Sequence, residues 1–259
     1  MTLVGLRQVS GLAGVALLAQ AIALGIILMT SRAHLTLPIT VDLPTRPSGA
    51  PQTSARILLS QLDPGVGVVV LCALVAVVRL IVVFPHSFSR YVNSVQSNRH
   101  ATRWIEFAFS SSITIFLVAQ LNGITDIGAL VLIYAITSGM TLFSVLQERS
   151  DPPGTKQMLP LWFGAAVGIV PWGVVAFHQV GALIEGNPPT VIVRVITLMM
   201  LSFSFSFAIA HWREQRQVAT RQSLASGERT HILLSLASTS LFAWVVVLGV
   251  VVSGARADY

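Results

Sequence analysis

Charge is what this chain has least of. Of its 259 residues 10% are charged and 54% hydrophobic, with a mean hydropathy of +0.76, whereas soluble domains carry about a quarter charged residues. That scarcity excludes a soluble globular protein. Cysteine occurs once, at Cys72 inside an apolar run, so no intrachain disulfide can form and the thiol reads as a packing residue. Lysine also occurs once, at Lys156, in the polar stretch DPPGTKQ. Catalytic patterns are missing as well: there is no HExxH, no paired intramembrane carboxylates, no Cys–His pair and no glycine-rich phosphate loop. His34, His86, His100, His178, His211 and His231 fall in loops or near the ends of apolar runs, without metal-ligand spacing, so no metal site is expected. Nor is an enzyme: a membrane-bound catalyst using Glu106 as general acid or base lacks a visible second catalytic group.

What the chain does have is apolar length. Seven stretches, roughly 9–31, 65–84, 104–121, 127–147, 159–180, 190–211 and 231–253, can each cross the hydrocarbon as a helix, which takes about 20 residues. The first lacks a small-residue cleavage site and is too long for a signal-peptide core, so it reads as a retained span. Most connections are short, which predicts an antiparallel all-α bundle filling residues 1–259 as one transmembrane domain. Arg7, Arg90, Arg99, Arg103, Arg149, Lys156, Arg213, Arg216, Arg221 and Arg229 fall on one side, against Arg32, Arg46, Arg56, Arg194 and Arg256 on the other. Positive residues favour the cytoplasm, which predicts a plasma-membrane protein with a cytoplasmic amino terminus and an extracellular carboxyl terminus. The net charge of +6 reflects this bias and attraction to anionic lipid, so the partner is the membrane and not nucleic acid.

The one long connection, residues 31–64, lies on the outer side. Leu35, Leu37, Ile39, Val41 and Leu43 alternate with Thr36, Pro38, Thr40 and Asp42, the period of a strand with one covered face. After the turn-rich TRPSGAP, residues from Arg56 to Leu59 return as a second strand. Two strands alone are marginal in water, so this hairpin is expected to lean on the bundle or on a second copy of the chain, with Pro38 at an edge. From His86 to Asn122 there is neither glycine nor proline, which predicts that the third transmembrane helix begins near Asn93 and carries Glu106 several turns inside. Pro171 in GIVPWG predicts a kink in the fifth.

Ionisable groups in hydrocarbon are costly and mark functional candidates. Asp126 reads as a helix cap after Asn122 and Gly123, and Arg194 can reach the outer surface. Arg79 and Glu106 remain, as two separate interfacial charges or as a buried pair on neighbouring helices. Ser110, Ser111 and Ser112 follow Glu106 by one turn, and Ser235 and Thr239 share a face of the last span. Such hydroxyls often bond their own helix or a neighbouring one. Two hydroxyl clusters flanking a carboxylate point to a small polar cavity.

The runs RWIEFAFSSS from Arg103, AQLNGITDIGAL from Ala119, LQERS, LPLWFGAAVGIVPW from Leu159 and GERTHILLSLASTSLFAW from Gly227 resemble the heliorhodopsins, microbial-rhodopsin-like proteins of inverted topology. The resemblance implies a seven-helix bundle, a β-hairpin in the first extracellular loop and a homodimer. It also implies retinal held as a Schiff base on a lysine in the last helix, with a third-helix glutamate as counterion. Glu106 matches that glutamate, but Thr239 occupies the lysine position, and Arg79 stands where family members carry histidine. No covalent retinal is therefore expected. The resemblance implies a ligand pocket of Glu106, Ser110, Trp162, Trp172, Ser235 and Thr239, open to retinal or another apolar molecule held non-covalently, beside an Arg79–Glu106 ion pair. It suggests a lysine-less, non-photochemical sensor or regulator that answers to such a ligand or to a cytoplasmic protein partner. The alternatives are a channel or transporter using Arg79 and Glu106, which would lack the usual row of intramembrane charges, or a carrier of non-covalent retinal.

Overall fold

A computed structural model of the chain describes residues 3–31, 35–44, 54–150, 154, 157–218 and 220–257. In chain order these form α1 (Leu3–Ser31), β1 (Leu37–Pro44), β2 (Ser54–Leu62), α2 (Pro64–Val83) and α3 (Pro85–Gln96). There follow α4 (Ala101–Leu121), α5 (Ile127–Ser150), α6 (Leu159–Ile184), α7 (Val191–Arg216) and α8 (Arg221–Ala257). All but α3 are long and apolar enough to cross a membrane, giving the seven expected spans. Leu12, Val15, Leu132, Phe177, Leu183 and Leu198 are exposed on the outer faces of these helices. Such surface would be a liability in water and is ordinary against lipid.

The bundle closes around Leu17, Leu24, Leu71, Val75, Val118, Phe242 and Val247, all fully buried. Because lipid is as apolar as leucine, close approach of backbones has to supply the packing energy. Gly67 shows this: a Cβ there would lie 2.8 Å from a Leu117 methyl, so α2 can meet α4 only without a side chain. α1 lies along α2, α5 along both α4 and α6, and α8 against α1, α2 and α7, whereas α6 and α7 touch little. At the end away from the arginines, Asn122 donates to Thr197 Oγ1 at 2.9 Å and accepts from Gln179 at 2.7 Å, joining α4, α7 and α6.

The hairpin forms as the alternation predicts. β1 and β2 pair antiparallel with a bulge between Ile39 and Thr40, and the return strand runs on to Leu62. Its connecting TRPSGAP turn lies outside the described residues, as do Arg32, His34 and Arg46. The hairpin rests on the bundle: Thr40 N donates to the Thr125 carbonyl at 2.8 Å, and their hydroxyls are 3.0 Å apart. Asp126 caps α5, its carboxylate accepting from Ala129 N at 2.8 Å. Arg194, exposed, bonds the Pro189 carbonyl. Pro171 sits inside α6.

One expectation fails. The third spanning helix, α4, does not begin near Asn93, because a separate helix, α3, ends there and the chain turns before Ala101. Asn98 adopts a left-handed φ of +53°, a conformation that asparagine tolerates better than most residues and that ends helices. Pro85 starts α3 and keeps Phe84 extended, which separates α3 from α2. α3 buries Tyr91, Val92 and Val95 against the bundle and leaves Arg90 exposed.

The polar stitch at Asn122 supplies a test. Asn122→Ala should lower stability in detergent by about 1 kcal/mol, the usual worth of an interhelical hydrogen bond in a membrane protein, measured by denaturant unfolding. No change would mean that the stitch contributes nothing to holding α6 and α7 to α4.

Candidate functional site

The interior is built around acids that need partners. Glu106, 2% exposed on α4, meets Arg79 of α2, whose Nη2 lies 2.8 Å from both carboxylate oxygens. Ser235 of α8 donates to the same carboxylate at 2.7 Å. Three helices thus converge on one acid. Burying either charge alone would cost several kcal/mol, which the pairing and the added hydrogen bond offset.

Toward the arginine-rich end lies a second, larger cluster. Arg103 of α4, 3% exposed, reaches Glu214 of α7 at 2.6 Å, Glu228 of α8 at 3.2 Å and Glu148 of α5 at 3.6 Å. The His100 ring is 2.8 Å from Glu148, and its backbone N–H donates to the same carboxylate at 3.0 Å. Tyr91 of α3 donates to Glu228 at 2.7 Å. Burial, followed by the neighbouring Glu228 charge, pushes the Tyr91 phenol well above its ordinary range, so it remains a donor. Gly227 lets α8 close on α7, because a Cβ there would fall 2.5 Å from a Glu214 oxygen.

Two histidines at the ends of apolar runs are interior residues. His211 and His231 are buried inside this cluster, the Trp104 ring standing at a steep angle to both, 76° and 72°. Their ring nitrogens and a Glu214 oxygen lie within 4.8 Å of one another, a set that could hold a divalent cation. Glu214 would then have to be shared with Arg103. The absence of metal-ligand spacing in the sequence therefore does not carry over to the fold. The sequence carries an i, i+3 signal for this cluster: His211 with Glu214, and Glu228 with His231, each place a histidine and an acid on one helix face. Arg103, one of the residues of the arginine-rich side, is likewise an interior residue.

Between α4, α5, α6, α7 and α8 lies a cavity of about 340 Å³. Its wall includes Ser110, Trp162, Trp172, Ser235 and Thr239, with Phe107, Phe203 and Phe207 adding aromatic surface. Among the described residues no Asp, Glu, Lys or Arg side chain is part of that wall, whose polarity comes from hydroxyls, from His211 and His231, and from tryptophan. Glu106, expected on the wall, stands behind it, because Arg79 and Ser235 take up its carboxylate. Ser235 touches both the cavity and the acid. Ser111, Thr114 and Thr137 donate to carbonyls of their own helices, which leaves only oxygen lone pairs and, for the two threonines, methyl groups for the cavity.

Seven spanning helices, a hairpin at the end away from the arginines and an aromatic cavity ending beside a buried acid define a rhodopsin-like membrane bundle. A family profile described as Heliorhodopsin matches residues 6–251, and the chain belongs to that family. Comparison with curated proteins finds no match.

Coupling across the ion pair is measurable. Arg79→Ala and Glu106→Gln should each destabilise the protein, Glu106→Gln the more, by about 3 kcal/mol, because the buried Arg79 cannot shed its charge whereas Glu106 left alone can take up a proton. The double substitution should cost less than the sum of the two. Additive losses in denaturant unfolding would show that the two groups act independently.

Proposed function

We propose that this heliorhodopsin-family protein forms no retinal Schiff base and works as a non-photochemical sensor or regulator, holding an apolar ligand non-covalently within the bundle. The observation that carries the reading is the cavity itself: aromatic and hydroxyl-lined, uncharged, and with Thr239 on its wall. A threonine hydroxyl cannot form an imine with an aldehyde. Lys156, the chain's single lysine, belongs to the connection between α5 and α6 and lies outside the described residues. Loss of a protonated Schiff base would leave a counterion glutamate without a cation. Arg79 fills that role here, and its contact with Glu106 supports the reading.

A ligand changes a protein's state only through contacts that differ between states. The cavity offers them, since its wall draws on both α6 and α7, which have little contact with each other. A molecule seated there bridges the two helices, and its departure lets them close or part. The readout passes to the arginine-rich face, proposed as cytoplasmic, where His211 and Glu214 near the end of α7 join the cavity wall to the buried acid cluster. A homodimer, with the outer hairpin near the contact, fits the family resemblance.

The test is the absorption spectrum after adding all-trans retinal to the purified wild-type chain and to Thr239→Lys. The expected outcome is colour in the lysine variant alone, with the pigment stable to mild denaturant. Wild-type colour lost on organic extraction would favour a carrier of non-covalent retinal. Absence of colour in both would mean that the cavity does not accept retinal and would count against a retained rhodopsin pocket.

A further inference from the structure

Outside the bundle, α7 and α8 enclose a second hollow of about 370 Å³ that no feature of the internal cavity explains. It follows α7 from Ser206 to Gln217, about 16 Å at 1.5 Å per residue. Its composition is graded along that length. The deeper part is walled by Ile209, Ala210 and Leu234 together with Ser206, whose hydroxyl donates to the Ser202 carbonyl of its own helix, and the part nearer the helix ends by Arg213, Ser226 and Thr230. Arg213, Ser226 and Thr230 are exposed, and Arg213 has no ion-pair partner among the described residues. Glu214 also borders the hollow, but Arg103 neutralises it from the inner side at 2.6 Å, so it does not oppose an anion at Arg213.

We propose that this groove is a binding site for one anionic phospholipid of the adjoining leaflet. The phosphate pairs with Arg213 and accepts from the Ser226 hydroxyl, and one acyl chain lies along Ile209 and Leu234. The grading fixes the occupant as a lipid and not a free anion: a soluble phosphate would use the arginine end and leave the apolar half empty. The site borders on Glu214, which ties α7 to Arg103, so an occupied groove braces the end of α7 from outside. The juxtaposition is independent of what fills the internal cavity.

The test is native mass spectrometry of the purified protein titrated with phosphatidylglycerol, phosphatidylcholine or inorganic phosphate. One phosphatidylglycerol should be retained in preference to phosphatidylcholine by about five-fold, the worth of one arginine near an anionic surface. Arg213→Gln should abolish that preference and Arg213→Lys should keep most of it. Ala210→Trp, which fills the apolar half, should release the lipid. Arg229→Gln, the same charge loss on an exposed residue outside the groove, should leave the preference intact. Equal losses in the Arg213→Gln and Arg229→Gln variants would overturn the proposal in favour of diffuse charge attraction. Inorganic phosphate displacing phosphatidylglycerol would overturn it in favour of a plain anion site. Retention unaffected by Ala210→Trp would show that the acyl chain lies elsewhere.

Discussion

A carboxylate in hydrocarbon needs a cation, and the interior of this bundle is organised by that need. Glu106 takes Arg79 from α2 and a hydroxyl from α8, so one ion pair joins three helices at the centre of the protein. Nearer the arginine-rich end, Arg103 and His100 gather acids from α5, α7 and α8. Removing water makes each of these pairs costly to break from one side only. Specificity of packing follows, since apolar surfaces in lipid have little preference for one neighbour over another.

Pairing the charges behind the wall leaves the cavity uncharged. Its lining of aromatics and hydroxyls suits an apolar molecule with modest hydrogen-bonding capacity, and the hydroxyl of Ser235 is where cavity and buried charge meet. A change in what fills the cavity can therefore reach the Arg79–Glu106 pair through one hydrogen bond. His211 and His231 give a second contact between the cavity wall and the acid cluster. In the proposed reading these two contacts replace the covalent link through which a retinal protein couples its ligand to its helices.

Much of this architecture was legible in the residues. Apolar length marked the seven spans, because a bilayer leaves helices few alternatives. The alternation from Leu35 to Leu43 marked the hairpin, and its rest on the bundle is made by Thr40 and Thr125. Asp126 announced its cap by position alone. What escaped depended on tertiary structure. The break at Asn98 contains no glycine or proline, the residues that usually signal one, and its left-handed turn is held by local bonds from Ser97 and Asn98 back to α3. Arg103 looked like a loop arginine because its three acids are distant in sequence. Histidine and acid pairs one turn apart on α7 and α8 were visible, but only packing brings the two helix faces together around Trp104.

The claim on which the account turns is that Arg79 serves as the cation for Glu106, where a chromophore would otherwise supply it. Infrared difference spectroscopy between wild type and Glu106→Gln tests it most directly, because ionised and protonated carboxyl groups absorb in separate regions. The account predicts an ionised carboxylate band assigned to Glu106 in the wild type, replaced in Arg79→Ala by the carbonyl band of a protonated acid. A protonated Glu106 in the wild type, unchanged by removing Arg79, would contradict it.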